Sequence, residues 1–409
     1  MINKALTVLI ALIGLLSYSI SAHAVGGYES MPLYQALEKR LIETDKAIDK
    51  IKDNVEIPKV DFGSTRYLRQ GDTHVNVPLL RAKLMDYVTE ESFDTDPYLY
   101  DEYLFEAVKK YQEEKGLKND GILGPQTLSN LNRTLEDEKK QILVNMHRLR
   151  QPEWQGRPDL RIEVNIPQFE LMAYENNKLA FDMPVVVGTK SRQTVNFMTV
   201  MNGVRLNPGW TLPKTIKTED YIPKLRSNPE WVTNQGVQIY SSWNRDAKPI
   251  DPTTIDWNYL SDSEIRAMRF YKNAGSNNPL GQYRFLMDNK YDIYLHDTNQ
   301  KYLFERTSRA KSSGCVRVFN PRKVAEFLLA DDPDWTSEKL DNVLAGGKTY
   351  NLRATRSIPV YFDYKTAWLD NSGGLVLGHD IYGFDDGVYR DIISNYAGKT
   401  YKNEKLLED

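Results

Sequence analysis

Apolar positions along this chain change their period partway through, and the change divides it into regions. Leu33, Leu37, Leu41, Thr44, Ile48 and Ile51 recur at steps of three and four among charged residues, which predicts one amphipathic helix. Ile57-Pro58 ends that region. Residues 61–135 keep the helical period but in short pieces, predicting three short helices with loops. Asn76 and Pro78 open the first, ahead of Leu79, Leu80 and Leu84. Leu104, Val108 and Tyr111 mark one face of the second, which Gly116 stops. Asp120-Gly121 reads as a turn, and Pro125 suits the first position of the third, before Leu128 and Leu131. A polar helix follows over Leu135 to Leu149, and Pro152 and Pro158 mark a boundary.

From Arg161 the period becomes two. Ile162, Val164 and Ile166 alternate with Arg161, Glu163 and Asn165, the pattern of a half-buried strand. Phe169–Tyr174 and Leu179–Val187 flank Glu175-Asn176-Asn177-Lys178, which predicts a hairpin. Residues 210–278 are rich in Pro, Trp and Asn with short helical pieces such as Ser263 to Phe270, and read as an insertion folded over a sheet, a candidate lid. Strands resume at Tyr283–Met287 and Tyr291–His296, a helix is expected from Pro321 to Leu329, and Val360–Tyr364 and Leu375–Leu377 add further strands. The fold class is α+β. The expected divisions are an N-terminal helix region at 25–60, a helical module at 61–135, a linker helix at 136–158, a mainly β domain at 159–392 and a tail at 393–409.

The first residues depart from both periods. Lys4 is followed by an apolar run from Ala5 to Leu16, and Ala22-His23-Ala24 places small residues at the two positions a signal peptidase reads. Residues 1–24 therefore read as a secretory signal cleaved after Ala24, which implies a periplasmic protein. No later stretch is long and apolar enough to span a bilayer, so no integral membrane segment is expected after cleavage. The formal net charge of −3 gives no basic field for nucleic acid. Tyr and Trp are plentiful, which suits strands. His74, His147, His296 and His379 are dispersed, with no zinc-binding spacing, so neither a metal nor another cofactor is expected.

Export changes the meaning of the single cysteine. Cys315 has no possible internal disulfide partner, and a lone thiol in an oxidising compartment is either buried or used. It sits in Ser312-Ser313-Gly314-Cys315-Val316-Arg317, where the glycine permits a tight turn and close approach of a ligand. His296 lies nineteen positions earlier, and Asp292, Tyr294 and His296 share one face of the expected strand. Spacing alone leaves open whether His296 and Cys315 meet, and a His on a strand is also an ordinary structural residue.

The motif settles the expectation. His296-Asp297-Thr298 followed by Ser312-Ser313-Gly314-Cys315-Val316-Arg317 resembles the signature of the YkuD-type L,D-transpeptidase catalytic domain. Val164-Asn165-Ile166-Pro167, Val185-Val186-Val187-Gly188, Asn207-Pro208-Gly209-Trp210, Asn278-Pro279-Leu280-Gly281 and Tyr364-Lys365-Thr366-Ala367-Trp368 look like the lid-bearing, YcbB-like Gram-negative branch. Leu68-Arg69-Gln70-Gly71-Asp72, Ala107–Gln112 and Asp120–Thr127 resemble a peptidoglycan-binding domain. One departure is Ser313, where many family members carry His.

The resemblance implies a β-sandwich with a helical lid, beside a three-helix peptidoglycan-binding domain. It also implies an enzyme forming 3→3 cross-links between stem peptides. Cys315 would be the nucleophile and His296 the base and acid, with the Asp297 carbonyl fixing the imidazole tautomer. Backbone N–H groups of Gly314 and Cys315 would hold the oxyanion, a contribution of about 3 kcal/mol per donor in comparable sites. Arg317, Tyr294, Trp210 and Ser313 are candidate substrate contacts, with core packing the alternative for Trp210. Implied partners are a tetrapeptide donor, a diaminopimelate amine acceptor and carbapenem-type β-lactams as covalent inhibitors. An L,D-carboxypeptidase, a protein-to-peptidoglycan transferase and an inactive wall-binding scaffold are the alternatives. Ser308-Arg309-Ala310-Lys311 matches the S-x-x-K pattern of serine enzymes, but no K-T-G follows.

Overall fold

The structure, a computed structural model, describes residues 27–50, 58–65, 67–89, 95–115, 117–244 and 246–405. The expected signal segment 1–24, Ile57 and the helix stop at Gly116 lie outside the described residues. Two compact units form: one comprises the chain up to Arg157 together with Lys365 onward, the other Pro158–Tyr364.

In the first unit, the helix Pro32–Lys50 buries Tyr34, Leu37, Leu41 and Thr44 along one stripe, as the spacing predicts. The helical module has helices Val77–Lys83, Glu102–Glu114 and Pro125–Leu131. They enclose a core that includes Leu68, Leu80, Leu84, Leu104, Val108 and Leu123. Asp101 caps the middle helix by accepting the Leu104 N–H at 2.9 Å, and its other oxygen receives Arg81 Nη2 at 2.8 Å. Gly121 takes φ +62° in the expected turn, and its N–H donates to the buried Gln112 side chain at 2.9 Å. The polar helix spans Leu135–Leu149, opened by a reciprocal capping box between Thr134 and Asp137.

The second unit is strand-rich. Its strands are β1 (Arg161–Asn165), β2 (Glu170–Glu175), β3 (Lys178–Gly188), β4 (Phe197–Leu206), β5 (Trp210–Thr211), β6 (Val237–Tyr240), β7 (Pro249–Ile250), β8 (Arg269–Lys272), β9 (Tyr283–Met287), β10 (Leu295–His296), β11 (Ala310–Ser312), β12 (Val316–Val318) and β13 (Tyr350–Asp363). The β2–β3 hairpin turns on Asn176 and Asn177 at φ +53° and +59°, the left-handed pair that a two-residue turn demands. The main sheet runs β11-β3-β12-β10-β9-β4-β13-β1-β2, and β2 pairs again with β3. The order thus closes through β3: its first half pairs with β2, while Val185 and Val186 pair with Val318 and Arg317 of β12. Val164, Leu171, Val204, Phe285, Leu295, Val316 and Phe362 fill the interior.

Three expectations are revised. The insertion was expected to be helical, but it carries its own sheet, β5-β8-β6-β7, around a core of Trp210, Leu225, Ile239, Trp257, Ile265 and Phe270. Its helix at Asp262–Ala267 starts on a Ser261–Glu264 capping box and stops at Met268, which turns extended and leads into β8. The strand expected over Tyr291–His296 shrinks to β10. Asn289 explains this: its side chain accepts the N–H groups of Tyr291 and Ile293 and donates to the Ile293 carbonyl, satisfying that backbone locally. The β domain, expected to reach 392, ends at Tyr364. Beyond it β14 (Ala367–Leu369) and β15 (Leu375–Leu377) pair, and Ala367 and Leu377 join a core with Leu37, Ile142 and Leu149. The region expected as a tail lies partly in a helix over Asp385–Lys405.

Candidate active site

Cys315 stands between β11 and β12, on a loop that the sequence shapes in detail. Gly314 adopts φ +112°, a conformation that disfavours any side chain. Its carbonyl accepts Thr194 Oγ1 at 2.7 Å and its N–H donates to Ser312 Oγ at 3.2 Å. Ser312 Oγ in turn donates to the Cys315 carbonyl at 2.6 Å. The Gly314 N–H is therefore already engaged, and the loop donor that remains for an oxyanion is Cys315 N–H. Ser313, exposed, accepts Arg192 Nη1 at 3.1 Å.

The thiol itself donates to the Asp292 carbonyl at 3.5 Å. Asp292 takes φ +54°, the left-handed turn that precedes β10. Tyr294 also flanks the sulfur, its hydroxyl and backbone both hydrogen-bonded to it. Burial pushes the Cys315 thiol up from its ordinary pKa; the Tyr294 hydrogen bonds and the Arg284 charge oppose that rise without cancelling it.

His296 is buried, at 5 % exposure. Its Nδ1–H donates to the Asp297 carbonyl in a short contact, which assigns the proton to Nδ1 and leaves Nε2 as the acceptor. Burial pulls the imidazole down to a pKa of about 3, and Arg317 and Arg284 push the same way against the Asp297 hydrogen bond. Asp297 is held on both carboxylate oxygens, by Gln282 N–H at 2.8 Å and Lys301 Nζ at 2.6 Å. Gly281 makes room for it: at φ +56°, a Cβ there would lie 2.2 Å from Asp297 Oδ2.

Register decides which side chains share the face. His296 pairs with Arg317 of β12 on one side and Arg284 of β9 on the other, and Arg284 pairs with Arg205 of β4. Directly paired residues project to the same side of a sheet, so Arg205, Arg284, His296 and Arg317 form one row. Leu295 pairs with Val316, which places Tyr294 beside Cys315 one pleat away on the same face. The Tyr294 ring lies edge-on to His296 with centroids 5.7 Å apart, and the Arg284 guanidinium stacks on it at 4.2 Å. Arg317 Nη1 donates to Gln300 Oε1 at 2.6 Å.

Among the expected site residues, the structure gathers Cys315, Gly314, His296, Asp297, Tyr294 and Arg317 on one sheet face and its bordering loop. Trp210 is built into the insertion's core, edge-on to Tyr221 at 6.5 Å, which is the packing alternative. Ser313 meets Arg192. Sequence reading missed Arg284, Arg205 and Arg192, and it placed Asp292 on the face by its side chain, not by the carbonyl that meets the thiol. An Arg at an interior position of the strongly alternating β9 was the one local signal for Arg284. Ser308 precedes β11 in irregular backbone, not on a helix. No group of His, Cys, Asp and Glu able to hold a metal occurs among the described residues.

A half-buried thiol on a glycine-shaped loop and a neutral imidazole with its proton fixed on Nδ1 are the kinds of group that nucleophilic acyl transfer uses. Residues 159–340 match the family model described as YkuD, L,D-transpeptidase catalytic domain, and residues 73–131 match that described as "Putative peptidoglycan binding domain". The chain thus carries a YkuD L,D-transpeptidase catalytic domain and a peptidoglycan-binding domain. It is 37% identical over 224 residues to a "Putative L,D-transpeptidase" of Haemophilus influenzae, across 55% of this chain and 44% of that protein. It therefore spans less than half the length of that relative.

Among solved structures, an L,D-transpeptidase from Mycobacterium smegmatis aligns at 8% identity and a TM-score of 0.25, over 50% of this chain and 58% of the other. The L,D-transpeptidase of Xylanimonas cellulosilytica aligns at 15% and 0.21, over 74% of this chain and all of the other. At these scores neither bears on the mechanism.

Proposed function

We propose that this protein is a cysteine-dependent L,D-transpeptidase that forms 3→3 cross-links between peptidoglycan stem peptides in the periplasm. The observation that carries the proposal is the site itself: Cys315 and a tautomer-fixed His296 share one face inside the matched catalytic domain. No described helix is long and apolar enough to cross a membrane.

In the first half-reaction the Cys315 sulfur attacks the carbonyl at the L-centre of the donor's third residue. The S–C bond forms as His296 Nε2 takes the thiol proton, and the oxyanion is met by Cys315 N–H. Collapse breaks the C–N bond, and His296 returns the proton to the departing D-alanine amine. In the second, the side-chain amine of another stem attacks the thioester and gives its proton to His296. The C–S bond breaks, and the proton passes back to sulfur. Ser313, which accepts a hydrogen bond from Arg192, stands where many family members carry His, so His296 serves as the base in this reading.

The test is incubation of the protein with defined tetrapeptide stems and mass analysis of the products. A dimeric 3→3 product is expected from the native chain and none from Cys315→Ala. Tripeptide alone would mean that water replaces the acceptor, an L,D-carboxypeptidase, and dimers from Cys315→Ala would sink the thioester mechanism. A carbapenem should add one adduct, on Cys315, by intact mass.

A further inference from the structure

The arginine row holds charge that the protein does not neutralise. None of the ion pairs among the described residues involves Arg205, Arg284 or Arg317. Two of the three still have polar anchors: Arg205 Nε donates to Asn351 Oδ1 at 2.6 Å, and Arg317 to Gln300. Arg284 differs. Its Nε, like that of Arg317, is buried and unpartnered, but no hydrogen bond among the described residues anchors the rest of its guanidinium, which rests on the Tyr294 ring. A half-buried guanidinium with no carboxylate beside it can take one, because Arg presents a planar fork that matches a carboxylate bidentately. Its cross-strand partner is His296.

That adjacency specifies which carboxylate. In the proposed first half-reaction, His296 protonates the amine of the departing residue. The α-carboxylate of that residue is attached to the same Cα as the amine, only two bonds from the nitrogen. A group so close to the nitrogen must fall among the side chains next to the imidazole. Cross-strand neighbours on one face are about 4.5–5.5 Å apart at Cβ, within reach of a guanidinium.

We propose that Arg284, with Arg205 behind it, binds the free C-terminal carboxylate of the residue expelled from the acyl donor, and so measures stem length. The inference rests on the transpeptidase reading above. A stem ending at its fourth residue presents the carboxylate to Arg284. A stem one residue longer presents a neutral amide there and further chain beyond, leaving the guanidinium unpaired. The site thereby selects a tetrapeptide donor over a pentapeptide by charge, with Tyr294 as the surface that keeps the fork in place.

The experiment compares a tetrapeptide donor with its C-terminal carboxamide, which removes the charge and little else. Two readouts are taken: kcat and KM for release of the terminal residue, and protection of Cys315 from iodoacetamide by each peptide. The native protein is expected to prefer the acid by ~10-fold or more in kcat/KM, the range of a charge-assisted hydrogen bond. Arg284→Gln should bring the ratio close to one, chiefly through KM for the acid, and Arg284→Lys should restore part of it. Equal use of acid and amide by the native protein would overturn the proposal. So would Arg284→Gln slowing both donors equally, which is the mark of a role in the thiol's environment alone. If no donor turns over but the acid protects Cys315 better than the amide, the carboxylate site stands and the transpeptidase reading falls.

Discussion

At the scale of single residues, the site stores the two groups of the proposed reaction in their neutral forms. Burial raises the Cys315 thiol and lowers His296 to about 3, so neither shift favours a thiolate–imidazolium pair at neutral pH. The sign is the same for both groups: a raised thiol stays protonated, and a lowered imidazole stays unprotonated. The proton must then move during attack, which suits a base whose Nδ1 is locked on Asp297. The expected consequence is a slow, strongly pH-dependent alkylation of Cys315 by iodoacetamide. Its rate should keep rising beyond the ordinary thiol pKa of about 8.5. A rate that levels off near neutrality would show a preformed ion pair and defeat this account. Cys315 and His296 were both legible, because a local motif carries each. Arg284 was not, and Asp292 was legible only by its side chain on the expected strand face. Arg284 gains its meaning from a partner strand, and Asp292 from a left-handed backbone that the strand-like Tyr291–His296 pattern concealed.

At the scale of elements, the insertion is tied to the nucleophile loop through one residue. Arg192, on the turn between β3 and β4, donates through Nη1 and Nη2 to Asp220 at 2.7 and 2.6 Å and through Nε to Glu219 at 2.8 Å. The same guanidinium reaches Ser313 on the Cys315 loop. Glu219 and Asp220 lie on a wide-pitched helical turn, residues 217–221, whose Lys217 is buried and donates to the Arg266 and Met268 carbonyls. The acidic partners are 53% and 42% exposed, so solvent screens the pairs and their contribution to global stability is about 1 kcal/mol or less. The effect of breaking them should therefore be local. Arg192→Ala is expected to leave the melting temperature nearly unchanged while speeding amide hydrogen exchange over 214–234 and on the loop around Ser313. Unchanged exchange in both segments would mean that packing alone holds the insertion. Its existence and place were legible from the Pro- and Trp-rich stretch. Its sheet was not, because β5 and β7 are two residues long and β5 gains its partner, β8, from the far end of the insertion.

At the scale of the whole molecule, the strand-rich unit is an insertion within the helical one. Its boundary at Pro158 is written locally in prolines, whereas its end at Tyr364 is not, since β13 runs on to Asp363 and strand-like sequence resumes just beyond. What separates them is the partner each finds. β13 pairs with β1 and β4 in the main sheet, while the Thr366 N–H and hydroxyl bond to Asn145, and Gln141 donates to the Thr366 carbonyl at 2.7 Å. The first and last strands of the inserted unit are therefore neighbours, and among the described residues no strand of its sheet comes from outside 158–364. Residues 158–364 alone should fold with a cooperative thermal transition and present one alkylatable thiol at Cys315. The converse truncation, ending the chain at Tyr364, should harm the other unit. It strips Ala367 and Leu377 from the core shared with Leu37, Ile142 and Leu149, and strands the buried amides of Gln141 and Asn145. Losing the Gln141 bonds to Thr366 and Gly378 and the Asn145 bonds to Thr366 and Ala367 costs about 0.5–1.5 kcal/mol per bond, before any loss of apolar burial. Together these are a sizeable part of the ~5–15 kcal/mol that holds a domain folded. Circular dichroism of the truncated chain should show weakened helical cooperativity with Cys315 reactivity intact. Loss of the Cys315 site in either truncation would mean that the strand-rich unit does not stand on its own sheet.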